Sequence, residues 1–229
     1  MAGEVHAVMR TEKKYSVSLS TSRQLANRLS RIMQTDAHGS SDGYTVRSLY
    51  FDSVYDDDYF DKVNGLEFRK KVRLRLYSPE QPWIKLEVKQ KQGAVQMKKS
   101  LVISRELAFR MIGGEYFGLL ELEGAFPREL YTLLEQGLYR PKCIVEYRRL
   151  AFVGETNNIR ITIDSHLGAS RKCGDFFAGG LSLQALLKEP TLEVKYDGFL
   201  LDYCKGIINL TDLPELSLSK YEMARRQVF

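Results

Sequence analysis

The sequence predicts an α+β protein: an eight-stranded antiparallel β-barrel with flanking helices, its charged strand faces turned inward. Three observations predict it. Eight segments alternate polar and apolar residues with a period of two. Short turns join many of the neighbouring strands, which makes those pairs antiparallel. Helical segments between the strands can cover the apolar strand faces. Eight strands is also a number at which a sheet can close around an interior wide enough for one ligand.

Val8–Leu19 reads as a strand with Arg10, Glu12 and Lys14 on one face. Thr21 is placed to cap a helix running to Met33, with Leu25, Leu29 and Ile32 on one stripe. The polar run Gln34–Gly43 reads as a loop, Tyr44–Asp52 as a strand, and Asp56–Val63 as a short helix with an acidic start. Strands follow over Leu66–Tyr77, Trp83–Lys91 and Ala94–Ile103, the last two joined by the hairpin signal Gln92-Gly93. Ser104 caps a helix to Ile112, and a proline in the first turn opens a helix over Pro127–Gln136. Lys142–Val153 and Asn158–Asp164 are strands, and the glycine-containing stretch Gly168–Gly180 reads as a mobile loop. Thr191–Tyr196 is the eighth strand, followed by helices over Leu200–Asn209 and Lys220–Val228. With no internal repeat, low-complexity tract or linker, residues 1–229 read as one domain.

Composition narrows the class. At 229 residues the chain can bury a substantial core without staples. No apolar run approaches the ~20 residues of a membrane span, and the N-terminus lacks a signal-peptide core, so a cytoplasmic location is expected. Cys143, Cys173 and Cys204 are scattered without CxxC spacing, which points to buried thiols. A net charge of +5 is modest for a nucleic-acid binder, and the cations lack interleaved exposed aromatics for base stacking. Nucleic acid is therefore not the expected partner. The oligomeric state is not legible.

The placement of charge says more than its sum. Arg69, Lys71, Arg73 and Arg75 share one strand face opposite Val72, Leu74 and Leu76. Two residues of rise set those cations about 6.6–6.8 Å apart. The other strands repeat the pattern: Lys85, Glu87, Lys89 and Lys91; Gln96, Lys98 and Ser100; Arg160, Thr162 and Asp164; Glu193 and Lys195. Lys99 falls on the apolar side and is the exception. A barrel built with these faces inward is a tunnel lined by cations and a few carboxylates. Its simplest ligand is a triphosphate or longer phosphate chain, clamped by arginine forks and lysine point charges.

Phosphoryl transfer is mainly positioning and charge neutralisation, and a bridging divalent metal needs only one or two carboxylates. Glu193, between apolar neighbours, leads as metal ligand. Glu12 and Glu87 are further candidates, with ion pairing to Lys14 and Lys89 as the alternative. His6, His38 and His166 are too dispersed for a histidine site, and no GxxxxGK[ST], GxGxxG after a strand, or GxSxG occurs.

Several motifs occur in a fixed order: Arg10-Thr-Glu-Lys-Lys-Tyr15, Val46-Arg-Ser-Leu-Tyr-Phe-Asp52, Arg73-Leu-Arg75, Leu86-Glu-Val-Lys89, Glu146-Tyr-Arg-Arg-Leu-Ala-Phe152, Arg160-Ile-Thr-Ile-Asp164, Leu192-Glu-Val-Lys195 and Ser219-Lys-Tyr221. Together they resemble the catalytic domain of the vacuolar transporter chaperone (VTC) polyphosphate polymerases, within the CYTH-like triphosphate tunnel metalloenzymes. The resemblance spans nearly the whole chain. It implies an eight-stranded tunnel that transfers the γ-phosphate of ATP to a growing inorganic polyphosphate chain with Mn²⁺ or Mg²⁺. It places the phosphate-handling cations on Lys14, Arg73, Arg75, Lys89, Lys98, Arg149 and Arg160, with Tyr147 beside them. Glu193 would hold the metal, and Ser219 and Lys220 would be the C-terminal Ser-Lys pair. Lys195 is a further expected substrate contact, with Arg69 and Lys71 nearer one mouth.

Two departures matter. The family's Lys-x-Ser-Lys pattern reads Ser217-Leu-Ser-Lys220 here, losing one cation. The first strand carries Arg10, Glu12 and Lys14 where hydrolytic relatives have Glu-x-Glu-x-Lys, which favours polymerase over triphosphatase. A tunnel triphosphatase acting on inorganic triphosphate or nucleotides, and a non-catalytic polyphosphate-binding module, stay open as alternatives. The expected chain lacks the SPX sensor and membrane helices of the eukaryotic complex, so it would not export polyphosphate by itself.

Overall fold

The computed structural model describes residues 5–8, 11–36, 39, 42–93, 95–209, 213 and 215–228. Its strands are β1 (Val5–Val8), β2 (Thr11–Ser16), β3 (Gln34–Thr35), β4 (Tyr44–Asp52), β5 (Phe68–Leu76), β6 (Trp83–Gln92), β7 (Val95–Ser104), β8 (Arg140–Val153), β9 (Arg160–Ser170), β10 (Gln184–Ala185) and β11 (Thr191–Tyr196). The helices are α1 (Leu19–Leu29), α2 (Asp57–Val63), α3 (Arg105–Ile112), α4 (Ala125–Gln136), α5 (Asp202–Asn209) and α6 (Lys220–Val228), with short 3-10 turns at Phe117–Glu121 and Cys173–Phe177.

All eleven strands belong to one sheet, and the long path runs β1-β7-β6-β5-β4-β8-β9-β11-β2. Every ladder is antiparallel. The expected eight strands are present, and β1, β3 and β10 are short additions. The sheet is tunnel-like, but among the described residues no ladder seals it as the expected barrel would be sealed. Its two ends, β1 and β2, are consecutive in the chain: β1 pairs with β7, and β2 pairs with β11. The step from Val8 to Thr11 spans at most about 11 Å, so one N-terminal stretch borders both edges. Arg10 lies outside the described residues.

The sheet packs its apolar face outward. Val72, Leu74 and Leu76 of β5, Ile84, Leu86 and Val88 of β6, and Leu101 and Ile103 of β7 form one core with Leu107, Ala108 and Met111 of α3 and Phe126, Leu130 and Leu134 of α4. A second core joins Ile161 and Ile163 of β9 and Leu192 and Val194 of β11 to Leu25 and Leu29 of α1 and Cys204 of α5. A third cluster lies on the inner face instead: Tyr221 and Ala224 of α6 pack on Tyr50 of β4, which pairs with Arg73, and on Val145 and Tyr147 of β8. Helices α1, α3, α4 and α5 thus cover the outer apolar faces, while α6 packs on the inner face among the alternating charges. Lys99 follows the same geometry: it points outward, lies over the Phe126 ring and pairs with Glu129 of α4 at 2.5 Å.

Three local expectations change. The cap of α1 is Ser18, whose Oγ accepts from the Thr21 N–H at 3.0 Å; Thr21 is already helical, and the helix ends at Leu29. Gln34 and Thr35, expected in a loop, pair with β8. The expected mobile loop Gly168–Gly180 is largely ordered by packing: β9 runs to Ser170, and Phe176 is fully buried in the first core. Gly168 marks a close approach there, since an added Cβ would lie 2.9 Å from the Leu183 Cβ. Cys143 and Cys204 are buried and Cys173 half-buried, all as free thiols. No helix among the described residues is long and apolar enough to cross a membrane.

The inside-out arrangement has a direct mutational signature. Leu86 is fully buried on the outer face, so Leu86→Ala should cost about 2–5 kcal/mol in urea unfolding. Lys85→Ala, one residue away on the inner face, should change stability by less than about 1 kcal/mol.

Candidate functional site

The inner faces of β2, β5, β6, β7, β8, β9 and β11 contribute charge, because the period of two aligns the side chains that the outer cores exclude, whereas β4 turns Val46, Ser48 and Tyr50 inward. The charges sort into neighbouring groups. At one mouth lies a cavity of about 450 Å³ lined by seven cations (Lys14, Lys62, Arg69, Lys70, Lys71, Lys89, Lys91) and two carboxylates, Glu12 and Glu215. Ser219 also lines it, and its Oγ accepts from the Lys71 Nζ at 2.7 Å. Lys70 pairs with buried Asp58 at 2.9 Å, and Lys62 with Glu222 at 3.7 Å. Among the described residues Arg69, Lys71 and Lys91 have no carboxylate partner.

A second group centres on Glu87, buried on β6. It accepts from Arg73 Nε at 2.8 Å, lies 3.6 Å from Arg75 and pairs with Lys98. Arg73 also reaches the Tyr50 hydroxyl at 3.2 Å, and Arg75 the Ser48 hydroxyl at 3.3 Å. A third group joins β2, β6, β8, β9, β11 and α6. Lys195 bridges Glu193 at 2.5 Å and Glu12 at 3.7 Å, while Glu12 also pairs with Lys14 at 2.6 Å and Lys89 at 3.2 Å. Arg149 grips Asp164 with two bonds of 2.7 and 2.8 Å, and Lys220 reaches Asp164 at 2.7 Å. Arg149 and Lys220 both lie over the Tyr147 ring, at 5.1 and 4.8 Å.

The C-terminal helix is held in register for this. Ser219 Oγ accepts from the Glu222 N–H at 3.3 Å as a helix cap, so Lys220 opens α6 facing the tunnel. Tyr221 stacks on Tyr50 with ring centroids 5.0 Å apart and donates to Asp52 at 2.5 Å. Arg225 clamps Asp56 through two bonds of 2.7 Å.

The strand parities therefore bring together most of the sequence-predicted residues. Arg69 and Lys71 line the mouth cavity with Lys14 and Lys89, whereas Arg73 and Arg75 do not line it and are shared with Glu87. Arg160 is engaged by Asp36 at 2.5 Å and by the Tyr44 hydroxyl at 3.2 Å. The three carboxylates expected at a metal do not form one set: Glu12 and Glu193 meet at Lys195, while Glu87 is satisfied by other cations. Sequence reasoning missed Asp164 as a site member, although its parity with Arg160 signalled it. Lys62 and Asp36 come from a helix and from beyond a short strand, where no strand alternation could reveal them.

The electrostatics follow from crowding. Burial, reinforced by Lys89, Lys14, Lys62 and Arg73, brings the Lys71 ammonium down to about 7. Burial likewise brings Lys89 to about 8, against the pull of Glu12. Burial opposes ionisation of Glu12, yet Lys195, Lys89 and Lys14 outweigh it and hold the carboxyl at about 2. Burial is also outweighed at Glu193, where Lys195, Lys220, Arg149 and Lys14 hold the carboxyl well below its ordinary range.

Glu193 and Glu12 suit a hard divalent cation: two ionised oxygen donors from adjacent strands converge on one point of positive charge, now the Lys195 ammonium. The described residues contain no ready-made cluster of three or more acidic, histidine or cysteine ligands, so substrate oxygens and water would complete the shell.

Comparison with known proteins agrees with the fold. The family profile described as the VTC domain matches residues 9–229. Among solved structures, a Hippeastrum protein described as a candidate adenylyl cyclase with a dominant triphosphatase activity superposes with a TM-score of 0.57 at 14% identity, covering 95% of this chain and 96% of that one. A candidate adenylate cyclase of Bacillus halodurans gives 0.50 at 14% identity, covering 89% of each chain. A protein of Pyrococcus horikoshii gives 0.50 at 11%, covering 95% of this chain and 99% of that one. At these identities the likeness is one of fold. No curated protein sequence matches the chain significantly.

Crowded lysines make anion binding a proton-linked event. With Lys71 near 7 and Lys89 near 8, both are partly neutral at pH 8, and a bound polyanion favours their charged forms. Tripolyphosphate binding at pH 8 should therefore take up protons, and affinity should fall as pH rises from 7 to 9. Calorimetry in buffers of different ionisation enthalpy measures the uptake; proton release would contradict it.

Proposed function

The chain belongs to the VTC domain family, and from that premise we propose a metal-dependent polyphosphate polymerase that extends inorganic polyphosphate with the γ-phosphate of ATP. The observation that carries the reading is the imbalance in the mouth cavity, where seven cations and two carboxylates line the wall and only Lys62 and Lys70 find carboxylates beyond it among the described residues. Such a surface needs a polyanion to be at rest.

The chemistry asks little more of the protein. A terminal oxygen of the polyphosphate chain forms a bond to the γ-phosphorus, the bond to the β–γ bridging oxygen breaks, and ADP leaves. The attacking oxygen is already anionic, so no general base is required. Lys14, Arg69, Lys71 and Lys89 would hold phosphates at the mouth. Arg73, Arg75 and Lys98, now sharing Glu87, and Arg149, Arg160, Lys195 and Lys220 would serve deeper positions, with Tyr147 and Ser219 as polar contacts. Arginine forks fix phosphate orientation, and the fixed positive field stabilises charge that builds between the reacting groups. Glu193 with Glu12 would hold Mn²⁺ or Mg²⁺, which would supply further neutralisation of phosphate charge.

A second reading is a tunnel triphosphatase. It is favoured by Glu12, an ionised carboxylate on the cavity wall that could orient a water. Incubation with ATP and Mn²⁺ should yield long polyphosphate on a sizing gel under the first reading. Free phosphate as the sole product, abolished by Glu12→Gln with ligand binding spared, would establish the second. Stabilisation by tripolyphosphate without turnover under any divalent metal would leave a binding module.

Two substitutions test the residue roles. Arg75→Ala should weaken tripolyphosphate binding by about 1.5–3 kcal/mol, the worth of a charge-assisted bond. An unchanged dissociation constant would remove Arg75 from the site. Glu193→Gln should leave the fold intact and eliminate metal-dependent turnover.

A further inference from the structure

Among the described residues, the inner face of the tunnel holds one buried side-chain atom without a hydrogen-bond partner, the Thr162 hydroxyl. The residue is only 2% exposed. Buried hydroxyls are almost always satisfied, and an orphan in a binding site commonly marks an absent water or ion. Its surroundings say which. Across the β9–β11 ladder Thr162 lies opposite Glu193, and across the β8–β9 ladder it lies opposite Ala151. Side chains directly opposite one another have Cβ atoms about 4.5–5.5 Å apart. The Ala151 methyl offers no partner and little bulk. On the other side stands the carboxylate of Glu193, engaged by Lys195. Asp164, two residues along the same face, is occupied by Arg149 and Lys220.

We propose that Thr162 is a positioning residue for the divalent cation, its hydroxyl accepting a hydrogen bond from a water in the shell of the ion held at Glu193. The proposal rests on the reading of Glu193 as a metal ligand. A phosphate oxygen is the poorer occupant, because the carboxylates of Glu193 and Asp164 flank the spot and would repel a bare anion. A cation's water brings protons to a place that has acceptors. The hydroxyl then orients the coordination shell from outside it, the role that outer partners play in metal sites, where their loss lowers metal affinity about 10–100-fold.

The same hydroxyl without this role would be a burden on the fold. Replacing it with a methyl would then stabilise the protein and leave the metal untouched. The test is a Mn²⁺ titration followed by electron paramagnetic resonance, with and without one equivalent of tripolyphosphate, on the wild type, Thr162→Val, Thr162→Ser and Glu193→Gln. Thr162→Val should weaken Mn²⁺ binding about 10–100-fold in at least one condition while its melting temperature holds or rises. Thr162→Ser should restore the wild-type affinity. Equal Mn²⁺ affinity in wild type and Thr162→Val under both conditions, with Glu193→Gln impaired, would overturn the role of Thr162 alone. If Glu193→Gln also binds Mn²⁺ as the wild type does, or the wild type binds none, the metal reading itself fails and this inference with it.

Discussion

Repulsion between like charges held on one strand face is the constraint on which the rest of this molecule depends. Cations two residues apart on β5 sit roughly 6.7 Å from one another. At an effective dielectric near 20, each such pair repels by about 2–3 kcal/mol. A solvated sheet face would relax by turning its lysines into water. Here the strands cannot turn, because Val72, Leu74 and Leu76 are locked beneath α3 and α4, and Ile161 and Ile163 beneath α1. The outer cores hold the cations inside.

What lies inside then follows from how few acids are present. Glu87 serves Arg73, Arg75 and Lys98 together, Glu12 serves Lys14, Lys89 and Lys195, and Asp164 serves Arg149 and Lys220. Each carboxylate is shared by two or three cations, too widely to neutralise its group. The mouth cavity is the least compensated place, and among the described residues its Lys71 has only a serine hydroxyl for a partner. The C-terminal helix completes the lining with Ser219 and Lys220, and the Tyr221–Asp52 and Arg225–Asp56 contacts hold it there. Recognition and stability are thus coupled through α6.

Where side chains alternate, the sequence carries the structure plainly. Both Tyr44–Asp52 and Thr191–Tyr196 form strands with the expected ends, and the distinction between Lys98, facing Glu87, and Lys99, facing Glu129, follows from parity. The candidate site was legible in its placement, since Lys14, Arg73, Arg75, Lys89, Arg160 and Glu193 all fall on inner faces. What was not legible depends on tertiary choice. A strand can ladder with only one neighbour on each side in one register, so nothing local revealed that the N-terminal stretch divides between β7 and β11. Glycines at 168 and 174 suggested motion, whereas Gly168 permits a close approach and Phe176 anchors the segment. Pairings such as Arg160 with Asp36 join residues 124 positions apart and leave no periodic trace.

The central claim is that the interior is a charged site awaiting a linear polyanion. Thermal unfolding in low salt with inorganic tripolyphosphate, against orthophosphate at equal total anionic charge, tests it most directly. Tripolyphosphate at a concentration near that of the protein should raise the melting temperature by several degrees, and orthophosphate should not. Equal shifts from both anions, or none from either, would contradict the account.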